Sequence, residues 1–138
     1  MKDAKILTKM SGSVILDTNV VIKFFGGDKS VVDNTALSDS IYIPTIVFGE
    51  LFYGAYNSKN AKSNIEKLEQ YFNSCECLEC NFETSKYYGN IKSKLKSAGK
   101  PIPENDIWIA ALSMQHNIPL VTSDSHFKYI KGLNLLNW

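Results

Sequence analysis

Four acidic residues lie next to or within apolar segments of the sequence, where a charged side chain is unusual. Asp17 directly follows the apolar run VIL, and Asp124 stands at the exit of the segment PLVT. Glu50 interrupts the apolar stretch IVFGELFYG, and Asp106 opens the segment IWIAAL. Each acid alone also fits a helix cap, a turn or a solvated position, because acids are common there. Their joint placement instead predicts one shared site.

Carboxylates gathered within a few ångströms repel one another and raise one another's pKa, which is costly unless a divalent cation neutralises them. A buried Glu50 in particular would need such a partner. Oxygen ligands suit Mg²⁺ or Mn²⁺, whereas Zn²⁺ prefers nitrogen or sulfur. A site of this kind favours phosphoryl chemistry, in which the metal polarises a phosphate oxygen and generates hydroxide from bound water. The four acids therefore predict a Mg²⁺ or Mn²⁺ centre that acts on phosphates.

The elements that must position these acids alternate between strand and helix. Short apolar runs predict strands at VIL, SIYIP, the cysteine-containing stretch, IPLVT and LNLL, and helical spacing predicts helices between most of them. No element is predicted between GGDKS and SIYIP. The helix through NIEKLEQYF is predicted to turn Ile65, Leu68 and Phe72 towards the core. This order indicates an α/β fold with a mainly parallel central sheet of about four to five short strands flanked by helices, in which ligands bind beyond the strand ends.

The length and composition of the chain are those of a single globular domain. The chain has 138 residues, of which 44% are hydrophobic, and this is enough for a single core. Residues 1–12 are expected to form a flexible arm, and residues 13–138 one domain. The net charge is +1, so nucleic-acid binding would have to rest on local patches. All 15 basic residues are lysine, which leaves no guanidinium for bidentate phosphate or guanine recognition.

The thiols and the hydropathy indicate the compartment. The only cysteines are Cys75, Cys77 and Cys80. An odd, clustered set suits small thiols on a strand better than a disulfide framework or a zinc site. No apolar run approaches the roughly 18 residues of a membrane span, and the N-terminus lacks the apolar region of a signal peptide. We therefore expect a cytoplasmic protein without a membrane partner.

The residues around the acids resemble the PIN-domain family, the fold of many metal-dependent ribonucleases, including the VapC-type toxins of toxin-antitoxin pairs. The resemblance rests on ILDTNVVI, YIPTIVFGELFYGA and AGKPIPENDIWIAALSMQHNIPLVTSDSHF, which follow in order over nearly the whole chain. It implies a PIN-like three-layer sandwich. The acids that it assigns to the metal site are Asp17, Glu50, Asp106 and Asp124. The residues that it assigns to supporting hydrogen bonds are Thr18, Asn19 and Thr122.

The same resemblance implies an activity and partners. The expected reaction is endonucleolytic cleavage of single-stranded RNA by a metal-activated water, which leaves a 5′-phosphate and a 3′-hydroxyl. The expected partners are a second copy of the chain in a homodimer and a VapB-type antitoxin, whose C-terminal segment blocks the site, often through an arginine. A chain without arginine is consistent with an arginine supplied by the partner.

Three other interpretations stay open at this point. A haloacid-dehalogenase-like phosphatase needs a second Asp where this chain has Asn19. A response-regulator receiver lacks a Glu inside an apolar helix and needs a lysine near the last strands. A PIN fold that binds RNA or proteins without cutting is the third, and the intact set of four acids argues against it.

Contacts with RNA would have to come from lysine, because the chain has no arginine. The lysines between Glu83 and Glu104 have no acid among them and lead to Asp106. They are Lys86, Lys92, Lys94, Lys96 and Lys100, of which the last four are the predicted RNA contacts. Lysines on a helix surface also serve solvation alone.

Two tyrosines and a histidine near the acids each have a structural explanation as well as a functional one. Tyr53 and Tyr56, about one turn beyond Glu50, could stack bases, line a dimer or antitoxin groove, or pack in the core. His126 lies beside Asp124 and is interpreted as a surface residue rather than a general base, because metal-activated water needs no histidine.

Overall fold

A computed structural model describes residues 12–138 of the chain. Within this range the chain forms five β-strands, six α-helices and one 3-10 helix. The strands are β1 (Val14–Leu16), β2 (Ile41–Pro44), β3 (Glu76–Leu78), β4 (Leu120–Val121) and β5 (Leu135–Leu136). The α-helices are α1 (Thr18–Phe25), α2 (Lys29–Leu37), α3 (Thr45–Tyr56), α4 (Ala61–Phe72), α5 (Phe82–Ser97) and α6 (Glu104–His116), and the 3-10 helix is Ser125–Tyr129. The predicted arm, residues 1–12, lies outside the described residues except for Gly12, so the arm and the domain limits stay predictions.

The five described strands form one parallel sheet in the order β3-β2-β1-β4-β5. The predicted α/β class, with a parallel sheet flanked by helices, is confirmed. The chain leaves β1 towards β2 on one side and leaves β4 towards β5 on the other side. The carboxyl ends of β1 and β4 therefore lie at the point where the strand order reverses, which is where open parallel sheets bind ligands.

The core lies between this sheet and the apolar faces of the helices. All three residues of β1 are buried, and α6 is buried along most of its length, as its apolar sequence predicts. This helix ends at Asn117, whose left-handed backbone (φ 53°) stops the helix. Within residues 12–138, no helix is both long enough and apolar enough to cross a bilayer.

The cysteine-containing stretch forms the edge strand β3, as predicted. Cys77 lies in this strand, Cys75 just before it and Cys80 just after it, and all three are free thiols. Burial raises the pKa of Cys75 to about 11. A thiol with so high a pKa is a poor nucleophile at neutral pH, so Cys75 serves packing.

Two local features differ from what the sequence indicated. Helix α2 occupies a segment in which no element is predicted, because Asp28 starts a new helix by accepting the N–H of Val31 at 3.1 Å. Gly27, with φ of 77°, makes the turn before it. On α4, Phe72 is 50% exposed, and its neighbour Tyr71 is buried instead. The aromatic rings packed around Tyr71 are those of Phe24, Phe25 and Phe48.

Candidate metal centre

Asp17 occupies the carboxyl end of β1 and is 3% exposed. Because β1 and β4 pair in parallel register, the residues that follow these strands, Asp17 and Thr122, are neighbours. The Asp17 carboxylate accepts hydrogen bonds from the Thr18 N–H at 2.9 Å, the Asn19 amide at 3.0 Å and the Thr122 hydroxyl at 2.7 Å. The first of these bonds also caps α1. A buried carboxylate is thus held in one orientation by three donors.

The surroundings of Asp17 act on its pKa in opposite directions. Burial raises the pKa above its ordinary value, and the negative charges of Asp106 and Asp124 raise it further. The hydrogen bonds from Thr122 and Thr18 oppose the rise. The net direction is upward, so ionised Asp17 costs free energy in the folded protein without a cation.

Glu50 projects from α3 towards the start of α1. Its Oε1 accepts a hydrogen bond from the Thr18 hydroxyl at 3.1 Å, and none of the ion pairs within residues 12–138 involves Glu50. Partial burial raises its pKa, and the charges of Asp17, Asp106 and Asp124 add to the rise. The acid inside the apolar helix is therefore turned towards the other three acids.

Asp106 and Asp124 meet at the imidazole of His126. Nε2 of His126 lies 2.5 Å from Oδ2 of Asp106 and 3.9 Å from Oδ2 of Asp124. Each of these three residues offers one ligand atom, and the three atoms lie within 4.8 Å of one another. Burial raises the pKa of Asp106 and the charge of Asp124 adds to it, while the contact with His126 opposes the rise. These three side chains could hold a metal ion.

His126, which the sequence suggested to be a surface residue, is partly buried in the structure. Its side chain is 30% exposed and contacts Asp106. The 3-10 helix that begins at Ser125 directs the side chain of His126 towards Asp106 on α6. An irregular loop would not fix this direction. A histidine two residues after a candidate acid is the only signal of this contact in the sequence.

Asn19 links Asp17 to the second pair of acids. Its Nδ2 donates to Oδ2 of Asp17 at 3.0 Å and to Oδ2 of Asp124 at 3.4 Å. Its Oδ1 accepts the N–H of Ser123 at 3.2 Å, and the Thr122 hydroxyl accepts the N–H of Asp124 at 3.0 Å. The three expected supporting residues thus each bond to an acid of the set.

The donor set fits a hard divalent cation. Four carboxylates converge here with one imidazole, and oxygen-rich sets suit Mg²⁺ and Mn²⁺. The pKa values of Asp17, Glu50 and Asp106 are all raised, with negative neighbours among the causes of each rise. A cation would relieve this repulsion. Asp17 and Glu50 lie outside the three-residue group around His126. Asn19 hydrogen-bonds to both Asp17 and Asp124, and Thr18 hydrogen-bonds to both Asp17 and Glu50. These two residues therefore connect the two outer acids to the group.

Comparison with known proteins places this site in a family. The family model described as PIN domain matches residues 14–133. The chain belongs to the PIN-domain family. It is 32% identical to Ribonuclease VapC2 of Rickettsia felis over 129 residues, which is 90% of this chain and 96% of that protein. The haloacid-dehalogenase-like and receiver interpretations are therefore wrong.

Further relatives of this PIN domain carry the same kind of name. It is 29% identical to a Ribonuclease VapC1 of Haemophilus influenzae, with 90% of this chain and 96% of that one covered. It is also similar to the crystal structure of VapBC2 from Rickettsia felis bound to a promoter DNA fragment. There the TM-score is 0.85 at 31% identity, over 91% of this chain and 98% of that chain.

Contacts from α5 fix the first turn of α6 in this PIN domain. Lys92 forms an ion pair with Glu104 at 2.5 Å, and the Tyr88 hydroxyl donates to the same carboxylate. The Tyr88 ring stacks on Trp108, with ring centres 4.0 Å apart and planes 16° apart. Because Asp106 lies between Glu104 and Trp108, these contacts hold its turn of the helix in place. Lys92, one of the predicted RNA contacts, is thus paired with an acid at the surface.

The other lysines predicted to contact RNA, and the two tyrosines beyond Glu50, lie on the surface of this PIN domain. Lys94, Lys96 and Lys100 are exposed, and Nζ of Lys100 lies 5.1 Å from the ring centre of Tyr129. Tyr53 is 74% exposed and Tyr56 is 67% exposed, so these tyrosines do not pack in the core.

Proposed function

We propose that this PIN domain is an endoribonuclease dependent on Mg²⁺ or Mn²⁺, and the toxin of a toxin-antitoxin pair. The observation that carries the proposal is the convergence of four acids at the switch point of the sheet, with raised pKa values at Asp17, Glu50 and Asp106. RNA as the substrate is supported by the relatives that are named ribonucleases.

In this proposal the four acids hold the metal ion. A bound divalent cation would neutralise charge on a phosphodiester and activate water for attack at phosphorus. Neighbouring residues of the chain hold these acids in position by hydrogen bonds. Thr122 and Thr18 favour the charged form of Asp17, and Asn19 fixes the spacing between Asp17 and Asp124.

The reaction can be tested with end-labelled cellular RNA and the purified protein, free of any partner. We expect fragments with 5′-phosphate ends in Mg²⁺ or Mn²⁺, and none with EDTA or with the Asp17→Asn variant. A folded protein that leaves the RNA intact in both metals would contradict the nuclease and would favour a PIN domain that binds without cutting.

The proposed partner is a VapB-type antitoxin, because similar solved structures are VapBC complexes. A cavity of about 600 Å³ lies beside Glu50, and its lining includes the exposed apolar side chains of Ile22 and Phe25. A C-terminal antitoxin segment in this groove would reach Glu50, and an arginine on it could pair with the acid. We expect expression of the chain alone to arrest growth and Asp17→Asn to relieve the arrest, whereas arrest by both proteins would contradict a nuclease toxin.

Two further properties belong to the same proposal. A homodimer is expected, and sedimentation of the purified protein tests it. The cytoplasm is the proposed compartment, since RNA is the proposed substrate and the thiols of Cys75, Cys77 and Cys80 are free.

A further inference from the structure

A second cavity, of about 330 Å³, lies between α5, α6 and the residues that end and follow the 3-10 helix. Its lining has an apolar part that includes Met114 and the buried Ile130. Three exposed residues, Lys94, Tyr129 and Lys131, also line it. The cavity therefore combines an apolar interior with a cationic and aromatic rim.

The charge at this rim is positive and uncompensated. No acid lines the cavity, and Lys94, Lys100 and Lys131 form none of the ion pairs found within residues 12–138. Nζ of Lys100 lies 5.1 Å from the ring centre of Tyr129, so a third lysine contacts a residue of the cavity lining without lining the cavity itself. Lysines that track phosphates beside an aromatic ring that takes a base are the features of proteins that bind single strands.

The 3-10 helix carries one residue of the acidic site, His126, and one residue of the cavity lining, Tyr129. His126 and Tyr129 are three residues apart in this helix, and side chains at that spacing eclipse each other. At about 2 Å of rise per residue the two positions are roughly 6 Å apart along the axis. His126 contacts Asp106, and Tyr129 contacts Lys100, which lies in the loop between α5 and α6. A strand that passes the acids along this face of the helix would next reach the cavity.

We propose that this cavity is a nucleotide subsite of the RNA site. It takes the base of a nucleotide that neighbours the cleaved bond, against Tyr129, and Lys94 and Lys131 contact the adjoining phosphates. The proposal rests on the proposed ribonuclease function. It assigns different contacts to two lysines of α5, because Lys92 pairs with Glu104 and Lys94 lines the cavity.

The binding of a fluorescently labelled single-stranded oligoribonucleotide tests the subsite in EDTA, where no cleavage occurs. The double variant Lys94→Gln/Lys131→Gln is compared with Lys59→Gln/Lys62→Gln, which removes the same charge from exposed positions in the turn before α4 and in its first helical turn. We expect the subsite variant to raise Kd roughly tenfold and to lower the slope of log K against log salt by about 1.4, since each phosphate that a lysine neutralises adds about 0.7 to that slope. The control pair should match the wild type in both quantities.

The aromatic contact has a test of its own. Tyr129→Leu keeps an apolar side chain at an exposed position and removes the stacking surface. We expect Kd to rise roughly fivefold or more, with an unchanged salt slope, because stacking on a base does not release counterions. In addition, an oligoribonucleotide that carries 4-thiouridine should cross-link to the peptide containing Tyr129. Cross-links found only in other peptides would overturn the subsite.

The failure of the subsite differs from the failure of the proposed function. If the wild type binds and cleaves RNA and the Lys94/Lys131 variant does both equally well, the subsite is overturned and the nuclease stands. If the wild type neither binds nor cleaves RNA, both are overturned. Sedimentation of the subsite variants shows whether they keep the oligomeric state of the wild type. If they bind RNA more weakly and have also lost a dimer that the wild type forms, the cavity is an interface between copies, and the subsite is overturned.

Discussion

The Thr122 hydroxyl donates a 2.7 Å hydrogen bond to Oδ2 of Asp17, between the ends of two parallel strands at the switch point of the sheet. Both residues are buried. This bond opposes the rise that burial causes in the pKa of Asp17 and so favours the charged form that a cation binds. Thr122 therefore acts on the metal centre through Asp17.

The effect of this bond can be measured by removing the hydroxyl. Thr122→Val should lower the cleavage rate by about 10- to 100-fold, since a hydrogen bond to a charged group contributes about 1.5–3 kcal/mol. The variant should also bind Mn²⁺ more weakly. Thr122→Ser keeps the donor and should retain most of the activity. Equal losses in the two variants would show that packing, and not the hydrogen bond, is what matters.

The charge of Glu50 should destabilise the metal-free protein. Its folded-state pKa lies above the ordinary value, so stability that is present below that value is lost as the pH rises through the raised pKa. In EDTA, Glu50→Gln should therefore unfold at a higher temperature than the wild type at pH 7, and the difference should shrink towards pH 4. Thermal unfolding followed by circular dichroism measures this. A lower melting temperature for Glu50→Gln at pH 7 would contradict it.

His126 is expected to position Asp106 and not to act as a general base. His126→Ala should keep the cleavage rate within about tenfold of the wild type, because loss of a general base costs about 100-fold or more. Single-turnover kinetics in Mn²⁺ compare it with Asp17→Asn. If the two variants lose activity to a similar degree, His126 belongs to the machinery that contacts the reacting atoms.

Part of this site follows directly from residue order. Asp17 directly follows a strand and Asp124 lies just past the end of another, and parallel strands bring their carboxyl ends together. Glu50 and Asp106 are less accessible to such reasoning, because the directions of α3 and α6 depend on packing. For these two acids, the apolar sequence on either side and the resemblance to a family are what suggest a common site.

Other features depend on contacts that periodicity does not encode. The segment KSVVDNTAL is rich in residues of low helix propensity, and α2 forms there because Asp28 caps it and Val31 is buried. Lys92 and Lys94 lie two residues apart on α5, yet only the pairing of α5 with α6 decides that Lys92 meets Glu104. The 3-10 geometry that directs His126 is likewise a local backbone detail.

The measurement that tests the central claim most directly is Mn²⁺ affinity without RNA, followed through the electron paramagnetic resonance of the free ion. The variants are Asp17→Asn, Glu50→Gln, Asp106→Asn and Asp124→Asn, with Glu69→Gln on the exposed face of α4 as a control. A single four-acid centre predicts that each of the four site variants binds Mn²⁺ at least several-fold more weakly, while the control binds like the wild type. If Asp17→Asn and Glu50→Gln keep wild-type affinity and only Asp106→Asn and Asp124→Asn lose it, the metal belongs to the smaller site around His126 and the four-acid centre is wrong.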